Sequence, residues 1–193
     1  MCNADVQDAI LKNENIVKNT SEWVKCFVVE LNICPFAKQA LLRNRIRFSV
    51  STATSNENLL RDLKTEIELL DVNTEIETTL LIHAEVLQNF YNYNEFLSVA
   101  DNLLVQMQLV GTYQIASFHP DYQFDGTKAD DVENYTNRSP YPMLHILRED
   151  SVSTAVAKHP DADLIPKRNI EMMKQMGTLE LDKMLHKCLT TKT

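Results

Sequence analysis

The feature that most restricts the fold lies between residues 46 and 119, where the spacing of the apolar residues keeps switching. "IRFSVSTA" (46–53) sets Ile46, Phe48 and Val50 against Arg47, Ser49 and Ser51, the alternation of a half-buried strand. Ser55 or Asn56 then caps a segment that carries Leu59, Leu60, Leu63, Ile67 and Leu70 on one helical face. "TTLLIHAE" (78–85) is β-rich and mostly apolar, which suits a central strand. Asn94 caps a second helical segment with Phe96, Val99, Leu103, Met107 and Val110 inward, and Gly111 ends it. "TYQIASFH" (112–119) is a third strand, closed by Pro120. Strand, helix, strand, helix, strand predicts an α/β or α+β fold: a small sheet of about three to four strands with flanking helices, in a single pair of layers. With parallel strands and right-handed crossovers the three carboxyl ends share one edge, and His83 and His119 sit on it.

The remaining segments attach to this unit. Residues 5–18 read as a polar helix, and Thr20 or Ser21 caps another with Trp23, Val24, Phe27, Val28 and Leu31 on one face. Pro35 disfavours helical geometry in the residue before it, so that helix should end near Asn32. A third runs from Pro35 to about Asn44. After Pro120 the chain is polar and aperiodic to about residue 142, a length that is usually functional or hides an element. "PMLHILRED" reads as a helix from Pro142 or as a fourth strand, Ser151 caps "VSTAVAKH", and a helix spans Pro166 to Gly177. Residues 178–193 read as a terminal helix or tail. No repeat or Pro/Ser-rich linker divides the 193 residues, so one domain (1–193) is expected.

A net charge of −8 argues against a general nucleic-acid-binding surface. The one basic run, "RNRIR" (43–47), reads as a solvated entrance to a strand or as a seat for one phosphate or carboxylate. No stretch has the roughly 18 consecutive apolar residues of a membrane helix, and the first residues lack the pattern of a signal peptide. A cytoplasmic protein with reduced thiols is expected. With three glycines, and no GxGxxG, Walker loop, GxSxG or HExxH, a Gly-rich phosphate cradle is excluded, and the sequence leaves any cofactor unknown.

Candidate chemistry centres on a few residues. Cys34 precedes a Pro-initiated helix, where unsatisfied N–H groups favour a thiolate; the alternative is packing between two helices. Cys26 reads as core, Cys2 and Cys188 as incidental. His119, at a strand end among Asp121, Tyr122 and Asp125, is a candidate general base or metal ligand, or a corner histidine bonded to backbone. His145 and Glu149 share a helical face as an ion pair or as metal ligands, whereas on a strand they lie roughly 13 Å apart, too far to share a metal. Arg138, flanked by Asn137 and Ser139, either anchors an anion bidentately or pairs with Asp130, Asp131 or Glu133. Asn134 and Asn137 suit turn work. His83 is a weaker candidate, and His159 reads as a helix C-terminal cap.

"NICPFAKQA", "ASFHPDYQFDGT", "DDVENYTNRSPYPMLHILREDSV" and "IPKRNIEMMKQMG" together resemble an uncharacterised bacterial family catalogued as domain of unknown function 1415. The likeness covers about residues 22–177 and implies a cytoplasmic, single-domain protein. The positions it singles out include Cys34, His119, Tyr122, Asn134, Asn137, Arg138, Tyr141, His145, Arg148 and Glu149; Ala84 departs from the Pro expected after His83. The leading expectation is a small enzyme with a polar cleft along the strand carboxyl edge. In it Cys34 serves as thiolate, His119 or His145 as base, and Arg138 as anchor for a small anion beside Asn134, Asn137, Tyr122, Tyr141 and Glu149. The alternatives are a mononuclear metal enzyme using His119, His145 and Glu149, and a binding module without catalysis.

Overall fold

A computed structural model describes residues 3–190; Cys2 lies outside the described residues. The fold is α+β. Helix α1 (Asn3–Trp23) continues without a break into one π-helical stretch, Val24–Val29. Thr20 therefore caps nothing: it is buried in the helix, and its hydroxyl donates back to the Ile16 carbonyl. The chain leaves this helix at Asn32, whose φ of 52° is left-handed, as the following proline led one to expect. Helix α2 is short (Ala37–Leu42) and starts after Phe36.

The alternating region forms β1 (Ile46–Val50), α3 (Asn56–Val72), β2 (Thr78–Ile82), α4 (Phe90–Gln106) and β3 (Tyr113–Phe118). Ser55 is the cap of α3, its hydroxyl accepting from the N–H of Asn58. The cap of α4 is Asn89 rather than Asn94: its side chain accepts from the N–H groups of Tyr91 and Asn92, so the helix starts five residues earlier than the periodicity suggested. The inward face shifts with it, to Tyr93, Phe96, Ala100, Leu103 and Leu104, and leaves Val99 and Val110 exposed. The polar stretch after Pro120 contains one short 3-10 helix (Val132–Thr136). Residues 142–149 are a strand, β4 (Met143–Arg148), from which α5 (Glu149–Ala157) starts directly, two residues ahead of Ser151. Helices α6 (Ile165–Met176) and α7 (Thr178–Thr190) follow, joined through Gly177 at φ 75°.

The strand order is β1-β2-β4-β3. β1 and β2 are parallel, and β4 lies antiparallel between β2 and β3. The first three strands thus run one way and share a carboxyl edge, as expected, while β4 brings its own carboxyl end to the opposite edge. Side chains alternate cleanly. Leu81, Tyr113, Leu144 and Ile146 face α3 and α4 in one apolar cluster that includes Leu59, Leu63, Ile67 and Leu70, all fully buried. Leu80, Ile82 and Met143 face the other way, against Ile16, Trp23, Val24, Phe27, Met173, Leu181 and Cys188. Both faces are therefore covered, one layer more than the single pair expected, because residues 3–29 and 165–190 supply helices that the alternating core could not announce. Cys188, taken as incidental, is buried there. Cys26 is only partly buried.

Candidate functional site

A pocket of about 920 Å³ opens on the second face of the sheet. It sits toward the amino ends of β1–β3: Ile46, Thr78 and Gln114 line it, together with Leu147 and Arg148 from the end of β4. The π-helical stretch closes one side with Val24 and Val28, the segment Cys34–Ala37 another, and α5 covers it with Ser151, Val152 and Ala155. The wall is largely apolar. The expected polar cleft at the strand carboxyl edge is a separate opening, a groove of about 670 Å³ lined by Ala84, Glu85 and Gln88 just past β2.

His145 forms the floor. Its neighbours across the sheet are Leu80 on β2 and Ala116 on β3, and both also line the pocket. Its Nε2 lies 2.7 Å from the hydroxyl oxygen of Thr78, which is 2.6 Å from the Ile146 carbonyl. A carbonyl oxygen only accepts, so the single hydroxyl proton points to Ile146 and His145 must donate from Nε2. That fixes the neutral tautomer with its lone pair on Nδ1, the ring's hydrogen bond to Thr78 being made through Nε2. Burial pushes the imidazolium pKa down to about 4, so the ring is uncharged at neutral pH. Phe118 packs 5.9 Å from this ring, and Trp23 meets Phe118 edge-on at 5.3 Å. The indole N–H of Trp23 is buried without any acceptor. Such an orphan donor costs about 1–3 kcal/mol.

Cys34 lines the same pocket. Two backbone N–H groups, of Phe36 and Ala37, favour its thiolate, but burial outweighs them and pushes the thiol pKa up. The thiolate expected from the helix start is therefore not favoured: α2 has six residues, and desolvation of a charged sulfur is the larger effect. His159 lines the pocket beside Phe36, ring edge to face at 6.1 Å, and its buried Nδ1 has no partner.

The other expected site residues lie elsewhere. His119 is fully buried under α4: its Nδ1 accepts from the Asp121 N–H, its Nε2 faces the Leu87 carbonyl at 3.2 Å, and Tyr93 and Phe90 pack on its ring. Tyr93 in turn accepts from the Phe118 N–H and donates to the Met143 carbonyl, so this cluster locks β3 to β4. His83, stacked on Tyr93 at 5.8 Å, is buried too; its Nδ1 bonds the Val86 carbonyl. Arg138 forms no ion pair with Asp130, Asp131 or Glu133. Its guanidinium donates to the Ala129 carbonyl and lies 4.4 Å over the Tyr135 ring.

Asn134 is buried and holds the loop together, accepting from the Phe124 N–H and the Thr127 hydroxyl and donating to the Lys128 carbonyl. Asn137 donates to the Ser117 carbonyl. Tyr122 packs on Phe90 and Phe124. Tyr141 accepts from Asn19 at the edge of a second groove, of about 670 Å³, beside α1. The metal alternative fails on geometry. His145 is on a strand and Glu149 begins the helix after it, His119 is held in a different cluster, and no three His, Cys, Asp or Glu among the described residues are placed to share an ion. Nor is any described helix long and apolar enough to cross a membrane.

Sequence reasoning missed Trp23, Thr78 and Ala116 as pocket residues. Trp23 had looked like core, and only the β2–β4 register brings Thr78 to His145. A model of a family described as protein of unknown function (DUF1415) matches residues 15–183. No curated protein and no solved structure matches the chain.

Proposed function

We propose that this chain, which belongs to the DUF1415 family of proteins of unknown function, binds a small, mostly apolar molecule in the pocket over His145. The observation that carries this reading is the pairing of an apolar void with one uncommitted acceptor, His145, in its floor. His145, on the floor of a pocket of about 920 Å³, has a lone pair on Nδ1, its Nε2 being bonded to Thr78. Pockets of this size suit a drug-sized molecule held by apolar contact and a few placed polar groups. A ligand hydroxyl or amide N–H can donate to that lone pair. A carboxylate at the same depth does not, because His145 stays neutral and Arg148, the cation closest in sequence, already donates to the carbonyls of Leu70, Asn73 and Ile76.

The test is a titration with the uncharged fluorophore N-phenyl-1-naphthylamine, on the native chain and on Ala116→Trp, which fills the space beside His145. Saturable binding by the native chain that is lost in a folded Ala116→Trp supports the reading. Equal binding by both places the dye elsewhere and removes it.

A second reading, catalysis, is favoured by one fact: Cys34 and His145 line one pocket. In acyl transfer the Cys34 proton would pass to His145 Nδ1 as the sulfur–carbon bond forms. The leaving group would then take that proton as its own bond to carbon breaks. Against it stand a thiol pushed up and an imidazole pushed down, which leave both partners neutral at rest. Binding without resting activation is the better-supported reading.

A further inference from the structure

The basic run at residues 43–47 has three arginines, and the fold uses two of them. Arg45 donates to the Thr74 and Glu75 carbonyls and pairs with Glu77. Arg47 makes a two-pronged bond to the buried carboxylate of Glu66. Arg43 does neither: it is exposed, lines the pocket, and its guanidinium has no hydrogen-bond or ion-pair partner among the described residues. Lys158, exposed at the carboxyl end of α5, lines the same opening and is likewise without a partner there.

Two acids also line the pocket. Glu77 is occupied by Arg45, and Asp150 lies in the first turn of α5, at the opposite end of that helix from Lys158. A cation at a helix carboxyl end has a local reason to be there; Arg43 has none. In a chain whose net charge is −8, the exposed charges lining the pocket are Arg43, Lys158 and Asp150, while the partly buried Arg148 is committed to carbonyls and the Tyr113 hydroxyl.

We infer that the occupant is an apolar molecule ending in a carboxylate, bound with its body over the floor and its carboxylate at the mouth, on Arg43 and Lys158. This rests on the pocket being the binding site and adds the charge class and orientation of what fills it. The interior cannot take the charged end, since a carboxylate buried without a cation costs several kcal/mol. The mouth can, because the pairs formed there stay in contact with water and need no such desolvation. Partly exposed pairs of this kind contribute modestly, about tenfold in affinity together.

Displacement of N-phenyl-1-naphthylamine at pH 8 and low salt tests it, with decanoic acid and 1-decanol as competitors. On the native chain the acid is expected to compete about tenfold better than the alcohol of the same length. In Arg43→Gln/Lys158→Gln that advantage should fall to near unity while the affinity for the uncharged dye holds, and added salt should erode it on the native chain. An acid no better than the alcohol, or an advantage that survives the double substitution, overturns the inference and leaves the binding site standing. A native chain that fails to bind the dye overturns both.

Discussion

At the scale of single residues, three imidazoles, His83 and His119 buried and His145 partly buried, set how the protein meets acid. His83 and His145 are pushed down to about 4, and His119 moves in the same direction, each chiefly through burial. The sign follows from which state binds the proton first. Below pH ~6.5 the unfolded chain takes up protons that the folded chain still refuses, so stability is full above that pH and is lost as pH falls toward ~4. Each of the two strongly shifted rings accounts for on the order of 3 kcal/mol across that interval. Urea unfolding at pH 7.5, 6 and 5 should show a steady decline, shallower in His145→Leu; a flat profile over that range contradicts the burial argument. Cys34 behaves oppositely, since desolvation favours its neutral form. Its alkylation by iodoacetamide, followed against pH, should have a midpoint above that of free cysteine, and a return to ordinary behaviour in urea. Fast alkylation at pH 7 would restore catalysis as the leading reading. None of these directions was legible in the sequence. The Pro after Cys34 announced helix N–H groups, but not how deeply the sulfur sits.

At the scale of elements, Arg148 shows what the motif around residues 130–150 is for. It ends β4 and reaches back to the carbonyls of Leu70 and Asn73 at the end of α3, to Ile76 ahead of β2, and to the Tyr113 hydroxyl on β3. One guanidinium thus satisfies several carbonyls left open where a helix stops. Arg148→Met keeps the stem and loses the bonds, and it should cost about 2–4 kcal/mol by chemical denaturation; a loss below ~1 kcal/mol would mean that water replaces the guanidinium freely. The elements themselves were readable where period and cap agreed, as in β1, α3 and β2. They were misread where two equivalent caps competed, Asn89 against Asn94, since only packing decides which turn comes first. The segment 142–149 was undecidable from sequence because His145 and Glu149 suit a helix face as well as they suit a strand. Pairing with β2 and β3 decides it, and with it the fate of the metal hypothesis. Of the candidate site, Cys34 and His145 converge on the pocket, whereas His119, Asn134 and Asn137 are spent within the protein and Arg138 lies over Tyr135 with one bond to Ala129. Their types fitted both uses, and only their bonding partners separate them.

At the scale of the whole molecule, the two faces of the sheet are built to different standards. On one, α3 and α4 meet the strands through side chains with almost no exposure. On the other, α5 spans a void, and none of its nine residues is buried. Local opening follows such gradients, because amides under dense apolar packing exchange only when the whole fold opens, while loosely seated helices open alone. Hydrogen exchange should therefore find α3, α4 and the four strands protected to the limit set by global unfolding, and α5 exchanging far faster. Filling the pocket with N-phenyl-1-naphthylamine gives the inner side of α5, Val152 and Ala155, atoms to pack against. Binding to the folded state alone stabilises that state by mass action, by about 2.7 kcal/mol at a hundredfold excess over the dissociation constant. Exchange in α5 should slow accordingly, while α3 and α4 gain only the global increment. If the dye slows every element equally, α5 is no cover over the site, and the pocket must be reached by another path.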